Sequence, residues 1–281
     1  MLTARLERLG LRPGDKVLDL GCGEGRHSHG LHMLGGLHVI GVDLNAASLA
    51  KARAGLASLS GDAAAEPAPG ASPAAVDAEA EPGTRFLQAD VTDLPFEDDS
   101  FDAVICSEVL EHLPDYPAAL REVRRVLKPG GRFCATVPRA WPERICWRLA
   151  PPPFGYPFEP GGHLRIFHRI ELQMAVEEHG FNFQGHHHAH GLHSPYWWLR
   201  CWYWSRGAQA GAGADADGSP ARQKGGAGHD ADPRDPWILR RYHALLVWDL
   251  LNKPWITQTL ERLLNPLMGK SVALYFMARA K

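Results

Sequence analysis

Paired cysteines and long apolar runs are missing from this chain of 281 residues. Its five cysteines are an odd number, lie far apart and form no C-x-x-C pair. This pattern argues against a disulfide framework or a cysteine zinc site and fits a reducing compartment. No segment has the roughly 18 uninterrupted apolar residues of a spanning helix, and the first residues lack the apolar run of a signal peptide. We therefore expect a cytoplasmic protein.

The chain also lacks an excess of charge of either sign. It has 30 Lys and Arg against 32 Asp and Glu, a formal net charge of −2 and a pI of about 6.7. Non-specific nucleic-acid binders usually show a strong basic excess, so we expect no nucleic-acid partner. A hydrophobic content of 45% is enough for a sizeable core.

Two segments, 60–84 and 207–235, are rich in Ala, Gly, Pro and Asp and almost free of large apolar side chains. Such segments bury too little surface to offset the entropy lost on ordering. We predict that both are flexible insertions within a single domain that spans residues 1–281.

The rest of the sequence alternates short apolar strands with helices. Strands are predicted at 17–20, 38–42, 85–89, 101–106, 131–137, 181–190 and 271–280, and helices at 46–56, 116–127, 169–179, 195–204 and 237–267. Strand–helix–strand alternation implies parallel βαβ units. We predict a doubly wound α/β fold with a seven-stranded sheet, whose last two strands are antiparallel and separated by a helical insertion over 191–270.

A glycine turn follows the first predicted strand. The run VLDLGCGEG over 17–25 places Gly21, Gly23 and Gly25 between a strand and a helix. Glycine permits a sharp turn and lets a ligand lie against the main chain. Asp43 ends the next strand, where a carboxylate can accept hydrogen bonds from both ribose hydroxyls. The sequence therefore predicts a nucleoside-cofactor site at the carboxyl edge of the sheet.

The spacing of the glycines distinguishes between cofactors. A dinucleotide fingerprint needs a third glycine three positions after Gly23, where this chain has Arg26. This argues against a nicotinamide-dependent oxidoreductase. A phosphate-binding P-loop is also excluded, because Leu264 stands at the first glycine position of the run that ends in Gly269-Lys270-Ser271.

Four runs, VLDLGCGEG, GVDL, QADVTDLPFEDDSFDAVIC and LREVRRVLKPGGRF, resemble the class I S-adenosylmethionine-dependent methyltransferases, in particular the small-molecule enzymes of methyltransferase type 11. The resemblance covers 10–137 well, 163–190 in part and 191–270 not at all. It implies a Rossmann-like fold and S-adenosyl-L-methionine as the cofactor. The cofactor-binding residues that it implies are Asp19, Gly21, Gly23 and Gly25 along the methionine moiety, Asp43 at the ribose, Leu44 against the adenine, Asp90 and the backbone of Val91 at the adenine edge, and Ser107.

A candidate metal site follows the fourth predicted strand. On a helical turn Glu108, Glu111 and His112 would share one face, and such a ligand set suits Mg²⁺ or Mn²⁺ and also Zn²⁺. The E-x-x-E-H run resembles two metal-using groups, the ubiquinone-biosynthesis O-methyltransferases and the small-RNA 2′-O-methyltransferases. In both groups a later histidine completes the site, and His163 stands in the corresponding place. The metal would bind the acceptor hydroxyl and lower its pKa.

The same residues have a role without a metal. The glutamates and His112 then line the cofactor pocket, and His112 or His163 acts as the general base, or the enzyme works mainly by proximity and orientation.

Two further features concern the second half of the chain. In the run from His186 to His190 a strand would place residues 186, 188 and 190 on one side, and we interpret the run, with His193, as a strand end near the active-site rim rather than as a metal site. The tryptophan-rich stretches 195–204 and 237–267 fit a packed lid, a membrane-facing surface or a partner interface.

Together these features predict methyl transfer to a nucleophilic atom, in the first place oxygen, of an apolar small molecule such as a lipid, a quinone precursor or a polyketide. The alternatives are a non-catalytic cofactor-binding scaffold and an RNA methyltransferase, and the near-neutral charge counts against the latter. Peripheral membrane contact through the two tryptophan-rich stretches is compatible with a cytoplasmic location.

Overall fold

The computed structural model of the chain describes residues 2–60, 82–150, 162–210, 235–252 and 254–281. Most of the two predicted flexible insertions lies outside these ranges. Several of their described edge residues belong to regular structure: residue 60 ends a helix, residues 83 and 84 begin a strand, and residues 207–210 end a helix.

Seven strands form one sheet. They are β1 (Lys16–Leu20), β2 (His38–Asp43), β3 (Gly83–Gln88), β4 (Phe101–Ser107), β5 (Leu127–Pro138), β6 (Phe181–Ala189) and β7 (Ser271–Ala278). The strand order is β3-β2-β1-β4-β5-β7-β6, and the pairs from β3 through β5 are parallel. The buried residues of β1 and β4 form near-continuous apolar runs, as expected for strands covered on both faces. The predicted doubly wound sheet is confirmed.

The last strand runs against its neighbours. The Arg279 N–H donates to the Gly180 carbonyl (2.9 Å), and the Lys270 N–H donates to the His190 carbonyl (3.4 Å). The end of β7 therefore lies beside the start of β6, and the start of β7 lies beside the end of β6. The Arg139 N–H, just after β5, donates to the Lys270 carbonyl (2.7 Å), just before β7. The sheet is therefore mixed, with β7 antiparallel as predicted.

Eight α-helices accompany the strands in the described part of the chain. They are α1 (Arg26–His32), α2 (Ala46–Ser60), α3 (Tyr116–Val126), α4 (Ala140–Leu149), α5 (Arg169–Glu178), α6 (His193–Ala210), α7 (Trp237–Asn252) and α8 (Trp255–Met268). Helix α4 was not predicted: Pro142 lies in its first turn, where no backbone N–H is needed. The helical region predicted over 237–267 is two helices, α7 and α8, which are separated at Pro254.

The described residues form two compact units. The first comprises Met1–Val137, Ile170–His186 and Ala273–Lys281, and the second comprises Pro138–Arg169 and His187–Val272. The helical unit therefore takes in α4 as well as the predicted insertion over 191–270.

An aromatic cluster packs between the last strands of the first unit. The ring of Phe133 on β5 lies 5.3 Å from that of Phe181 on β6 and 5.9 Å from that of Phe276 on β7, centroid to centroid. All three side chains are fully or almost fully buried. Aromatic pairs at this separation add to the free energy gained from burying their area.

The second unit is built around α6. Tyr196 is buried with Leu239 and Leu246 of α7, and Cys201 is buried with Cys146 of α4. Residues 196–201 therefore contribute much of their side-chain area to a core. No described helix is both long and apolar enough to cross a lipid bilayer.

Candidate cofactor site

The glycine turn lies where the order of the parallel strands reverses. From β1 the chain passes outward through β2 to β3 and then returns to β4 on the other side of β1. Open parallel sheets bind ligands beyond the carboxyl ends of the strands at this reversal. Leu20 of β1 pairs with Cys106 of β4, so Gly21, just after β1, follows the sheet beside Ser107, the last residue of β4.

The three glycines of the turn serve different purposes. All have positive φ, at 68° for Gly21, 54° for Gly23 and 82° for Gly25. A Cβ on Gly21 would overlap Val109, and one on Gly25 would lie 2.9 Å from the Cβ of Ala52. A Cβ on Gly23 would meet nothing within 4 Å. Gly21 and Gly25 thus allow close packing, whereas Gly23 leaves space in which a ligand can approach the main chain.

Asp43 holds the turn from the neighbouring strand. Its Oδ2 accepts a hydrogen bond from the Gly23 N–H (2.8 Å), and its Oδ1 accepts one from the Asn45 N–H (2.8 Å). Each carboxylate oxygen retains further acceptor capacity, which ribose hydroxyls can use. The next side chain, Leu44, is 67% exposed and offers an apolar surface of the kind that the adenine contact requires.

Asp19 has a structural partner. Its buried carboxylate accepts hydrogen bonds through Oδ2 from the Ser28 N–H (2.9 Å) and the Ser28 hydroxyl (2.6 Å). These bonds join the end of β1 to α1. Burial raises the pKa of Asp19 to about 6, although the Ser28 bonds act in the opposite direction. Its expected contact with the methionine moiety stays a prediction.

Asp90 lies exposed beyond β3. Its Oδ1 accepts hydrogen bonds from the Thr92 hydroxyl (2.7 Å) and the Thr92 N–H (2.8 Å), and these bonds lower the pKa of Asp90. The carboxylate is therefore ionised and fixed in orientation, while the neighbouring Val91 is buried. Both features suit the expected role at the adenine edge.

The segment after β4 departs from the predicted helical turn. Only Leu110–His112 form a single 3₁₀ turn, and Glu108 precedes it with a φ of +56°. The Glu108 N–H donates to the Thr136 carbonyl (2.9 Å), and the Thr136 hydroxyl donates to Glu108 Oε1 (3.1 Å). The prediction that Glu108 shares one helical face with Glu111 and His112 is therefore wrong, because β5 holds Glu108 in the left-handed conformation.

The remaining residues of this segment stay close to the sheet. Ser107 Oγ lies 2.9 Å from Thr136 Oγ1. Glu111 is completely buried, and its charge adds to the burial that raises the pKa of Cys106 well above its ordinary value. The first unit thus contains three of the four predicted metal ligands, namely Glu108, Glu111 and His112.

His163 belongs to the second unit, where it has a partner that the sequence did not indicate. Its Nδ1 lies 2.8 Å from Oε1 of Glu143 on α4, and the Trp147 indole N–H donates to the same oxygen (2.9 Å). Glu143 is 2% exposed. A buried carboxylate bonded to one ring nitrogen fixes the orientation and tautomer of a histidine.

The histidine run also differs from the prediction. Strand β6 ends at Ala189, and His190 has a φ of +64°, outside the strand conformation. Residue 190 therefore does not continue the alternation of 186 and 188.

Comparison with known proteins agrees with the geometry of the first unit. The sequence model of a family described as a methyltransferase domain matches residues 18–135. Residues 18–135 thus match a methyltransferase domain, in agreement with the resemblance of the sequence to the class I S-adenosylmethionine-dependent methyltransferases. The matched residues include the glycine turn, Asp43, the end of β1 and the strands β2 to β4, across which the strand order reverses.

Relatives of this methyltransferase domain share the same part of the chain. A sterol 24-C-methyltransferase of Gibberella zeae is 34% identical over 128 residues, which are 44% of this chain and 28% of the relative. A 2-phytyl-1,4-naphtoquinone methyltransferase of Synechococcus elongatus is 39% identical over 123 residues, 43% of this chain and 45% of the relative. The chain thus covers less than half of the length of these curated relatives.

Solved structures extend the likeness of fold beyond the methyltransferase domain. The [4+2]-cyclase SpnF matches with a TM-score of 0.55 at 19% identity, covering 98% of this chain and 79% of its own. At this identity the likeness concerns the fold alone.

The buried Asp19 predicts how stability depends on pH. Its pKa is about 6 in the folded domain against 3.8 for the ordinary group, so the folded state favours the protonated form and the wild type loses stability as the pH rises through this interval. Compared with Asp19→Asn, which does not titrate, the wild type should lose about 2–3 kcal/mol of unfolding free energy between pH 4 and pH 7. Urea unfolding at both pH values, without cofactor, measures this difference. If the difference in unfolding free energy between the wild type and Asp19→Asn is the same at both pH values, the expectation is wrong.

Proposed function

We propose that this protein transfers the methyl group of S-adenosylmethionine to a nucleophilic atom of an apolar small molecule. The observation that carries the proposal is the bond between Asp43 and the Gly23 N–H at the strand-order reversal, beside the open space at Gly23. When bound, the cofactor supplies a methyl group on a sulfonium, a good leaving group. The first unit then has to bind the methyl donor and orient its methyl group, because alignment of the reacting atoms supplies much of the rate.

The class of acceptor is inferred from the relatives and from the second unit. The names of the two relatives above refer to a sterol and a phytyl naphthoquinone, both largely apolar. The second unit carries many aromatic side chains, among them Trp141, Trp197, Trp198 and Trp202. These observations support a lipid, a quinone precursor or a polyketide as the acceptor.

The pair formed by His163 and Glu143 supports oxygen as the methylated atom. With the Nδ1–H of His163 donated to Glu143, the lone pair is on Nε2, which can accept the proton of an acceptor hydroxyl. The carboxylate also stabilises the imidazolium that this transfer produces. His163 is therefore proposed as the general base and Glu143 as its positioning residue.

Cofactor binding gives the first test. Asp43→Ala removes the acceptor for the Gly23 and Asn45 N–H groups and for the ribose, so affinity for S-adenosylhomocysteine should fall by about 100-fold or more. Isothermal titration calorimetry measures it, with the exposed Glu97→Ala as the matched carboxylate control that keeps wild-type affinity. Binding of NAD in preference to S-adenosylhomocysteine would overturn the proposed cofactor.

Turnover distinguishes the proposal from its alternatives. Incubation with methyl-labelled cofactor and a cell lipid extract should give an extractable labelled product. Label in RNA instead would favour an RNA methyltransferase. Tight cofactor binding without turnover on lipid, polar or RNA fractions would favour the scaffold.

The proposed general base gives a second test. With the acceptor found in the extract, His163→Ala should lower kcat by about 10²–10⁴-fold with little change in cofactor affinity. Glu143→Gln should lower kcat less and change its pH profile, since the imidazolium loses its carboxylate. His168→Ala is the control, because His168 is exposed and bonded to Arg144. Full activity of His163→Ala would contradict the assignment.

For the first unit we also propose that Glu111 and His112 bind a divalent cation. The fully buried carboxylate of Glu111 beside an imidazole gives two ligands that suit Mg²⁺, Mn²⁺ or Zn²⁺. Glu108 is less suited as a third ligand, because its Oε1 already accepts a hydrogen bond from the Thr136 hydroxyl. If a chelator and Glu111→Gln both leave turnover unchanged, the protein works without this cation.

We also propose that the second unit binds the surface of a membrane through α7 and α8. On α8 the side chains of Ile256, Leu260, Leu263 and Leu267 recur at helical spacing and are 41–67% exposed. Trp255, at the start of α8, is 76% exposed. On α7 the exposed apolar side chains include Trp237 (70%) and Leu245 (48%). An amphipathic helix with such a face lies in the membrane interface.

The charges on these two helices favour an anionic lipid surface. Both acidic residues, Asp249 and Glu261, are buried, whereas Arg240, Arg241 and Arg262 are exposed. The surface therefore combines apolar and basic side chains, as lipid-binding helices do. This arrangement supports a protein at the cytoplasmic face of a membrane, where an apolar acceptor would be dissolved.

Vesicle co-sedimentation tests the membrane proposal. The wild type should bind vesicles of phosphatidylcholine with phosphatidylserine. Leu263→Glu should weaken binding by about tenfold or more, because it removes an exposed leucine that the lipid would cover and adds a negative charge. Met174→Glu on α5, at a residue 55% exposed, is the control that binds as the wild type does. If Leu263→Glu and the wild type sediment alike, or if neither binds, the proposal is wrong.

A further inference from the structure

We infer that His190, His193 and Glu261 form a binding site for a divalent transition-metal ion within the second unit, with Zn²⁺ as the ion that the ligands suit best. One ligand atom from each residue, two imidazole nitrogens and one carboxylate oxygen, lies within 4.8 Å of the others. Two histidines and one glutamate are a ligand set that binds zinc with a fourth position open to water.

The burial of these groups distinguishes them from a surface histidine run. His190 and Glu261 are each 6% exposed. Oε1 of Glu261 is buried without a hydrogen-bond partner among the described residues, while the carboxylate accepts a hydrogen bond from the Leu192 N–H. A buried carboxylate oxygen without a partner is costly, and a bound cation would satisfy it.

The backbone brings the ligands together from distant parts of the chain. The left-handed conformation of His190, at a φ of +64°, turns the chain out of β6, and the His193 N–H then donates to the His190 carbonyl (3.0 Å). The ring centroids of the two histidines lie 5.1 Å apart. A non-glycine residue in this conformation is strained and is found where the surroundings, often a functional site, require it.

Hydrogen bonds fix this turn against α8, which carries Glu261. The Gly191 N–H donates to the Asn265 side chain (2.7 Å), and the Ser194 hydroxyl donates to the Met268 carbonyl (2.6 Å). The ligand atoms of a tetrahedral zinc lie about 3.3–3.5 Å apart, so side-chain movements of about 1 Å complete the site.

A second buried carboxylate, Asp249, lies near Glu261. A divalent ion bound at Glu261 would offset the negative charge of this pair. The ion would join the turn after β6 to α8 and so stabilise the second unit.

Metal binding by the purified full chain tests the site. After removal of metal and dialysis against Zn²⁺, the wild type should retain one equivalent more than Glu261→Gln by atomic emission, and Co²⁺ should give the visible absorption of a tetrahedral complex that Glu261→Gln lacks. Glu261→Gln and His193→Ala should each weaken binding by about 100-fold or more. His186→Ala, in the exposed part of the same histidine run, should bind as the wild type does.

Thermal unfolding separates metal binding from a structural ion pair between the histidines and Glu261. Zn²⁺ at about 100 times its Kd should raise the Tm of the wild type by roughly 5 °C or more beyond any rise in Glu261→Gln. If Glu261→Gln retains as much Zn²⁺ as the wild type, or if the ion is lost from His186→Ala instead, the ion is bound elsewhere and the site is overturned. A lower Tm of metal-free Glu261→Gln with no metal bound by the wild type would establish the ion pair and also overturn it.

Discussion

The hydrogen bond from the Gly23 N–H to Asp43 is the interaction on which the cofactor site depends. It joins the turn after β1 to the end of β2, and the second oxygen of the same carboxylate holds Asn45 at the entry to α2. One side chain therefore sets the positions of two loops at the strand-order reversal. Because both bonds involve main-chain N–H groups, they fix the backbone of the two loops directly.

Features encoded over short distances in the sequence were predictable. Apolar strands, the glycine run and the acid after the second strand lie within residues 16–43, and their spacing indicates both the parallel sheet and the type of cofactor. Propensity also located most helices, because their apolar periodicity is local. Helix α4 was missed, since Pro142 obscures a helix start and the helix follows a strand directly.

Features that depend on distant partners were not predictable. Glu108 leaves the expected helical face because Thr136 holds it, and His163 is oriented by Glu143 on a helix that the sequence did not indicate. The association of His190 with Glu261 depends on how the turn after β6 meets α8. In each case a buried polar group is paired with a residue far away in the sequence, and the spacing of residues along the chain does not indicate such a pair.

The course of the chain between the two units has a further consequence. The second unit is made of two excursions, Pro138–Arg169 and His187–Val272, which leave and rejoin the first unit near strand or helix ends. The cofactor residues from Asp19 to Ser107 precede both excursions. Recombination or insertion within these two segments can thus exchange the helices of the second unit while the glycine turn and Asp43 are inherited intact. Under the proposed function, the specificity for acceptors could diversify in this way without new selection on the residues proposed to bind the methyl donor.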